Sequence, residues 1–289
     1  YKETGAKVLD REQVLQKADI LVSVSTIIEN SDLEILKNKA VIVGGFNPYE
    51  NGDKIKKIIG KNLSLISLDF LPRISRAQSM DILSSQANLA GYKAVIEASS
   101  IFKKALPMMM TAAGTIIPAK CLILGAGVAG LQAIATARRL GCVVSAFDVR
   151  PEVEEQVNSL GAKFVKVEDG ANARETQTVY AKEMSEDYKK KQLRAIHNVA
   201  INMDIIISTA LIPGKKAPLI IKKEMINDMQ NGSIIYDLAA SQGGNAELTE
   251  VNKIINNNGV KIMGESNILN KLPVSASSLY AKNMFNFVE

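Results

Sequence analysis

Short apolar runs alternate with amphipathic stretches along the whole chain. Those at Lys7–Leu9, Ile20–Val24, Ala40–Val43 and Leu63–Leu68 read as strands separated by helices. Within them the apolar residues are continuous rather than alternating, the pattern of strands covered on both faces of a parallel sheet. Asp10-Arg11-Glu12-Gln13 and Ser31-Asp32-Leu33-Glu34 each fit a capping box at the start of a helix. A third, Ser75-Arg76-Ala77-Gln78, opens a helical pattern that runs to about Ala105 and stops before Pro107. Small residues line that helix, namely Ala77, Ser84, Ala87, Ala90, Gly91, Ala94 and Ala98, so a neighbouring helix can approach it closely. Met108, Met109 and Met110 read as filling for a core rather than as ligands.

The β-α-β rhythm resumes after Pro118. It predicts strand Cys121–Gly125, helix Val128–Leu140, strand Val143–Asp148 and helix Glu152–Leu160, then strands near Phe164, Ile205–Ser208, Ile234–Asp237 and Val260–Met263. Glu168 to Val179 is polar and aperiodic, which predicts a mobile loop before a helix from about Ala181. Ser277–Val288 is apolar at helical spacing and is expected to fold back on the earlier part of the chain.

Composition narrows the classes. A chain of 289 residues with 47% hydrophobic and 22% charged residues is globular and long enough for two domains. Its formal charge of +5 comes from scattered Lys and Arg, without the basic block of a nucleic-acid platform, so a solvated surface is the plainer reading. Cys121 and Cys142 are the two cysteines and His197 the single histidine, too little for a disulfide framework or a protein-ligated metal, and none is expected. No apolar run is long enough to span a membrane. The chain starts at Tyr1 without an initiator Met, so it is expected to be a fragment whose first strand or two precede Tyr1.

One motif carries chemistry. Gly125-Ala126-Gly127-Val128-Ala129-Gly130 lies between an apolar strand and a helix, and Asp148 follows at the end of the next strand, 18 residues after Gly130. A lone motif of this kind is weak; in this context it is a dinucleotide fingerprint. Gly125 permits the tight turn, Gly127 lets the backbone approach a pyrophosphate, Gly130 allows the helix to pack close, and the helix N-terminus offers N–H groups and a positive dipole. Asp148 suits the 2′-hydroxyl of an adenosine ribose and would repel a 2′-phosphate, which favours NAD(H) over NADP(H). Arg150 complicates this, because an arginine at the same strand end can host a 2′-phosphate. The fold class follows: α/β, two Rossmann-like parallel-sheet domains joined by long linker helices. The expected parts are residues 1–75 (completed by 266–289), a linker region at 76–117 and the nucleotide domain at 118–265.

An oxidoreductase acting on a hydroxy or amino acid needs a proton acceptor beside the reacting carbon. His197, in the amphipathic stretch Lys189–Ala200, is far in sequence from any strand end and reads as structural.

At Pro72–Asp81 and Gly125–Arg150 the chain resembles domain I, the NAD(H)-binding component, of the proton-translocating, Re/Si-specific NAD(P) transhydrogenases. The resemblance continues through Asn88–Val95, Met109–Thr115, Gly127–Ala137, Thr209–Lys215 and Ala281–Asn283, and so covers essentially the whole sequence. It extends to alanine dehydrogenase, which shares the Gly-rich turn. At the places where those enzymes carry a catalytic His and a catalytic Asp, this chain reads Val43-Gly44-Gly45-Phe46 and Ala240-Ser241-Gln242-Gly243-Gly244. A transhydrogenase needs neither, since hydride passes directly between two nicotinamide rings.

The resemblance implies roles residue by residue. Arg73 and Asp81 would hold the nicotinamide carboxamide and its ribose, Ser84 would support the carboxamide, and Gln78 would reach toward the partner's NADP(H). Arg76, Ala77, Ser79, Val128, Ala129, Val149, Arg150, Ala210 and Leu211 would line the cofactor, and Tyr180 matches a loop tyrosine that folds over it. A helix cap with an Arg–Asp surface pair is the plainer reading of the Arg73–Ser84 cluster. The resemblance further implies NADP(H) on a partner component, a separate membrane domain that moves protons, homodimerisation, and a peripheral place on the cytoplasmic or mitochondrial-matrix face of an energy-transducing membrane. Two rivals stay open. An alanine-dehydrogenase-like enzyme would reduce NAD with an amino acid, and a non-catalytic NAD(H) sensor would bind nucleotide without exchange.

Overall fold

The computed structural model describes residues 2–24, 29–167 and 186–289. The described chain divides into two compact units, 1–86 with 274–289, and 87–273.

The first unit is a small parallel sheet of β1 (Ile20–Ser23), β2 (Val41–Gly44) and β3 (Ser64–Ser67), in that spatial order. Helices α1 (Arg11–Lys17), α2 (Asn30–Ile35) and α3 (Gly52–Ile59) fill the connections. Ile42 and Phe46 anchor one core with Leu15, Leu33, Leu36, Ile58 and Leu63. Asp10 caps α1 by accepting the Gln13 N–H at 2.8 Å, at the position the sequence predicts. Two expectations need correction. Lys7–Leu9 is not a strand: Val8 and Leu9 are exposed, and among the described residues no strand pairs with them. Helix α2 starts before Ser31, because the Asp32 carboxylate accepts the Glu29 N–H at 2.7 Å and moves the cap two residues upstream.

Residues Ser75–Met80 form a 3-10 turn, and the long helix α4 is Ile82–Ile101. The helix expected to open at Ser75 therefore opens at Ile82. Ser75 makes no capping bond, whereas the Asp81 carboxylate accepts both the Ser84 N–H (2.9 Å) and the Ser84 hydroxyl (2.6 Å). After α4 comes an antiparallel hairpin of β4 (Met109–Thr111) and β5 (Gly114–Ile116). Met108, Met109 and Met110 are exposed on it, so the core role read from the sequence is wrong: a two-stranded ribbon has no third layer to bury them.

The second unit is a seven-stranded sheet built from β6 (Lys120–Leu124), β7 (Val143–Phe147), β8 (Lys163–Phe164), β9 (Ile205–Ser208), β10 (Ile234–Asp237), β11 (Ile254–Asn257) and β12 (Val260–Gly264). Its spatial order is β11-β12-β10-β9-β6-β7-β8, parallel except for β11 at the edge. Helices α5 (Val128–Arg139), α6 (Glu154–Ser159), α7 (Glu186–Ala200) and α8 (Lys223–Asp228) complete it. The apolar runs of β6, β9 and β10 are buried on both faces, Cys121 and Ile123 in one core and Leu122 and Ile206 in another. That accounts for their continuous hydrophobicity. Strand order reverses between β6 and β9, so the turn after β6 stands at the topological switch point, where open α/β sheets bind ligands. The chain ends in α9 (Pro273–Val288), which from Val274 onward belongs to the first unit.

Candidate functional site

Gly125 leaves β6 at φ +93°, a conformation that L side chains rarely adopt, and its N–H donates to the Phe147 carbonyl at 2.8 Å. A Cβ on Gly130 would stand 1.8 Å from the Gly125 carbonyl oxygen, so only glycine lets α5 begin there. Gly127 is the N-cap of α5, and a Cβ built on it would meet nothing within 4 Å. The strain of the turn is thus met by Gly125 and Gly130, while Gly127 keeps the space above the helix end open. An N-terminal helix turn presents backbone N–H groups with no intrahelical acceptor. Open space over such donors fits a pyrophosphate.

Thr209, at the end of β9, fastens the turn from the other side. Its N–H donates to the Leu124 carbonyl at 2.8 Å and its hydroxyl to the Gly125 carbonyl at 3.1 Å. Asp148, just beyond β7, is 9% exposed and accepts the Ala126 N–H on Oδ2 at 2.7 Å and the Arg150 N–H on Oδ1 at 2.9 Å. The Arg150 guanidinium completes the shell through Nε (3.0 Å) and Nη2 (3.2 Å). The acid is therefore hydrogen-bonded into the Gly-rich turn itself, at the strand end where a ribose would lie. Val128 and Val149 are exposed beside these groups in sequence, while Ala129 is half-buried.

The loop carrying Ala210 and Leu211 is held by a polar core that sequence reasoning missed. Asn245 is fully buried; its Oδ1 accepts the Ser208 hydroxyl and the Ala210 N–H (3.2 Å), and its Nδ2 donates to the carbonyls of Ala210 (2.9 Å) and Pro218 (2.8 Å). Asp237, also fully buried, accepts the N–H groups of Ala239, Asn245 and Ala246 and the Thr249 hydroxyl at 2.7–3.1 Å. The available signal was a polar residue closing an otherwise apolar strand, Ser208 after Ile205–Ile207 and Asp237 after Ile234–Tyr236.

The remaining expected residues lie in the first unit. Arg73, Arg76, Gln78 and Ser79 are exposed along or beside the 3-10 turn, and Ala77 is buried beneath it. The Ser79 carbonyl accepts the Asn283 amide at 2.7 Å. Asp81 and Ser84 are brought together as the cap of α4. With its proton committed to Asp81, the Ser84 oxygen is left with acceptor capacity. Tyr180 lies outside the described residues.

The single histidine and the two cysteines are engaged elsewhere or buried. His197 pairs with Asp228 at 2.9 Å, joining α7 to α8. Burial pushes the Cys121 thiol well above the ordinary range and Cys142 up to about 11, so neither is a poised nucleophile. Among the described residues no group of three His, Cys, Asp or Glu side chains could hold a metal ion, and no helix is long and apolar enough to cross a membrane.

The description "Alanine dehydrogenase/PNT, N-terminal domain" matches residues 1–90, and "Alanine dehydrogenase/PNT, C-terminal domain" matches residues 94–289. The chain is 48% identical to an NAD(P) transhydrogenase subunit alpha polypeptide of Rickettsia prowazekii over 292 aligned positions, covering 100% of this chain and 76% of that one. It belongs to the alanine dehydrogenase/PNT family, with the NAD(P) transhydrogenase alpha subunits. The crystal structure of transhydrogenase from Sinorhizobium meliloti matches at a TM-score of 0.90 and 46% identity, over 100% of this chain and 78% of the other. An L-alanine dehydrogenase structure matches at a TM-score of 0.78 and 19% identity, over 100% of this chain and 75% of that one, and shares the fold. The Rossmann-like α/β class read from the sequence is the one these structures share.

Proposed function

We propose that this chain holds NAD(H) on the Gly125–Gly130 turn and presents its nicotinamide for direct hydride transfer to NADP⁺ on a partner component. The observation that carries the reading is Asp148, hydrogen-bonded to Ala126 of the turn at the end of the second strand, with the space over Gly127 open. The backbone N–H groups at the start of α5 take the pyrophosphate. Asp148 accepts the ribose hydroxyls, which favours NAD(H) because a 2′-phosphate would meet a carboxylate. When bound, the dinucleotide supplies the hydride, and the chain contributes position alone. Arg73, Asp81 and Ser84 orient the carboxamide and ribose, with Ser84 accepting from the carboxamide NH₂, and Gln78 reaches toward the incoming nucleotide. Hydride transfer of this type requires the reacting atoms about 3–3.5 Å apart and no side-chain acid or base.

A dehydrogenase-like proton-transfer residue does not suit the end of β2. A side chain at Gly44 would put Cβ 2.3 Å from the Ser23 carbonyl oxygen, and one at Gly45 would come within 3.1 Å of Ile82. The reading extends to NADH + NADP⁺ ⇌ NAD⁺ + NADPH coupled to proton movement through a separate membrane domain. It places the chain peripherally on the cytoplasmic or matrix side, as a homodimer. The exposed hairpin of Met109, Met110 and Ile116 offers apolar surface for a second copy.

Fluorescence titration with NADH and NADPH tests the nucleotide assignment. Saturable NADH binding with much weaker NADPH binding supports it; equal binding of both, or of neither, overturns it.

A further inference from the structure

A carboxylate offers about four acceptor positions. On Asp148 two are taken by backbone donors that the turn itself fixes, the N–H groups of Ala126 and Arg150. The other two are taken by a single side chain, the Arg150 guanidinium, gripping both oxygens from Nε and Nη2. Asp148 therefore has full acceptor occupancy from within the chain. A ribose diol bonds to it only by replacing a donor, and the guanidinium is the one that can leave. Its side chain is 46% exposed against 7% for Asp148, so water is at hand to solvate it when it swings out.

The same grip bears on selectivity. An arginine at the end of the second strand is the group that would recognise a 2′-phosphate through paired N–H donors. In this chain that fork is turned onto Asp148. From this geometry we infer that Arg150 is a built-in rival of the ribose, a latch that NAD(H) displaces, and that Asp148 excludes NADP(H) twice: by its own charge and by holding the cation that would otherwise bind the 2′-phosphate. The inference deepens the NAD(H) assignment and rests on it. It makes the latent preference of the pocket opposite to its expressed one: neutralising Asp148 releases a ready-made phosphate fork.

The test compares the full chain with Arg150→Ala, Asp148→Asn and the double variant, each titrated with NADH and with NADPH by fluorescence. Removing the latch in Arg150→Ala tightens NADH several-fold and gives no NADPH binding, since Asp148 stays charged. Asp148→Asn gains NADPH affinity by about tenfold or more, as one charge-assisted bidentate contact provides. Arg150→Ala in that background removes the gain. Equal NADPH affinity in Asp148→Asn and the double variant overturns the inference, and so does weaker NADH binding by Arg150→Ala, which would make Arg150 a nucleotide contact instead of a rival. Should Asp148→Asn not fold, Asp148→Ser carries the same comparison. Parent protein that binds neither nucleotide refutes the NAD(H) assignment and the latch with it; parent protein that binds NADH while the variants depart from this pattern refutes the latch alone.

Discussion

Gly91 of α4 packs against Ala129 of α5 so closely that a Cβ on Gly91 would lie 2.0 Å from the Ala129 carbonyl oxygen. The obstacle is backbone on both sides, so no side-chain rotation relieves it. The long helix is thereby seated directly on the first turn of the helix whose N-terminus faces the proposed pyrophosphate.

Replacing Gly91 by Ala would favour an isolated helix by about 1 kcal/mol. Here the forced separation of α4 and α5 outweighs that gain. Gly91→Ala is expected to destabilise the protein by about 1–3 kcal/mol, the usual cost of overpacking, and to weaken NADH binding. Chemical denaturation and NADH titration on the same preparation check both.

Two glycines of the turn separate stability from binding. Gly130→Ala forces a Cβ onto the Gly125 carbonyl oxygen and should lower the melting temperature as well as NADH affinity. Gly127→Ala meets no protein atom within 4 Å, so its melting temperature stays near that of the parent while NADH affinity falls about tenfold or more from intrusion on the pyrophosphate. Thermal denaturation with and without NADH distinguishes the two.

Asn245→Ala leaves the Ser208 hydroxyl and the Ala210 and Pro218 carbonyls without their buried partner. Unsatisfied buried groups cost about 1–3 kcal/mol each, less where water enters, so a loss of about 2–4 kcal/mol in urea unfolding is expected. Ala210 and Leu211 lose their anchor at the same time, and NADH affinity should fall with stability.

Acid should unfold the protein through its paired carboxylates. The hydrogen bond from Arg11 holds the Asp32 carboxyl below the usual range, and that from Lys93 does the same for Glu97. A carboxyl with a lowered folded-state pKa contributes stability above its unfolded value of about 4, and that contribution disappears as pH falls through the lowered value. Urea midpoints should be flat between neutral pH and about 5 and drop below about 4; Arg11→Ala should flatten the drop. At mildly alkaline pH the two buried thiols should not react with Ellman's reagent until the protein unfolds.

Legibility from sequence followed the strength of the local signal. Six strands of the seven-stranded sheet were readable because their apolar runs stand out, all but β9 close to a glycine, and the Gly-rich turn with Asp148 was readable because its spacing reports a strand, a turn and a second strand at once. Edge strand β11 was missed, although Asn258-Gly259, both at positive φ, is a hairpin signal. The start of α4 was misplaced because Ser75 and Asp81 both precede plausible helices, and the choice between them rests on the bond from Ser84 to Asp81. The Asn245–Ser208–Asp237 core joins groups distant in sequence, and the polar ends of β9 and β10 mark two of its members without showing that they meet. The grip of Arg150 on Asp148 was likewise invisible: the sequence shows an acid and a base two residues apart, not that they pair.

Hydride exchange with a separately prepared NADP(H)-binding component decides whether the nicotinamide is presented for transfer. With this chain, the component, NADH and a thio-nicotinamide analogue of NADP⁺, the analogue should be reduced only when both proteins are present, and reduction should be lost on removing NADH. NADH binding at saturation with no exchange under those conditions would contradict the proposed transfer.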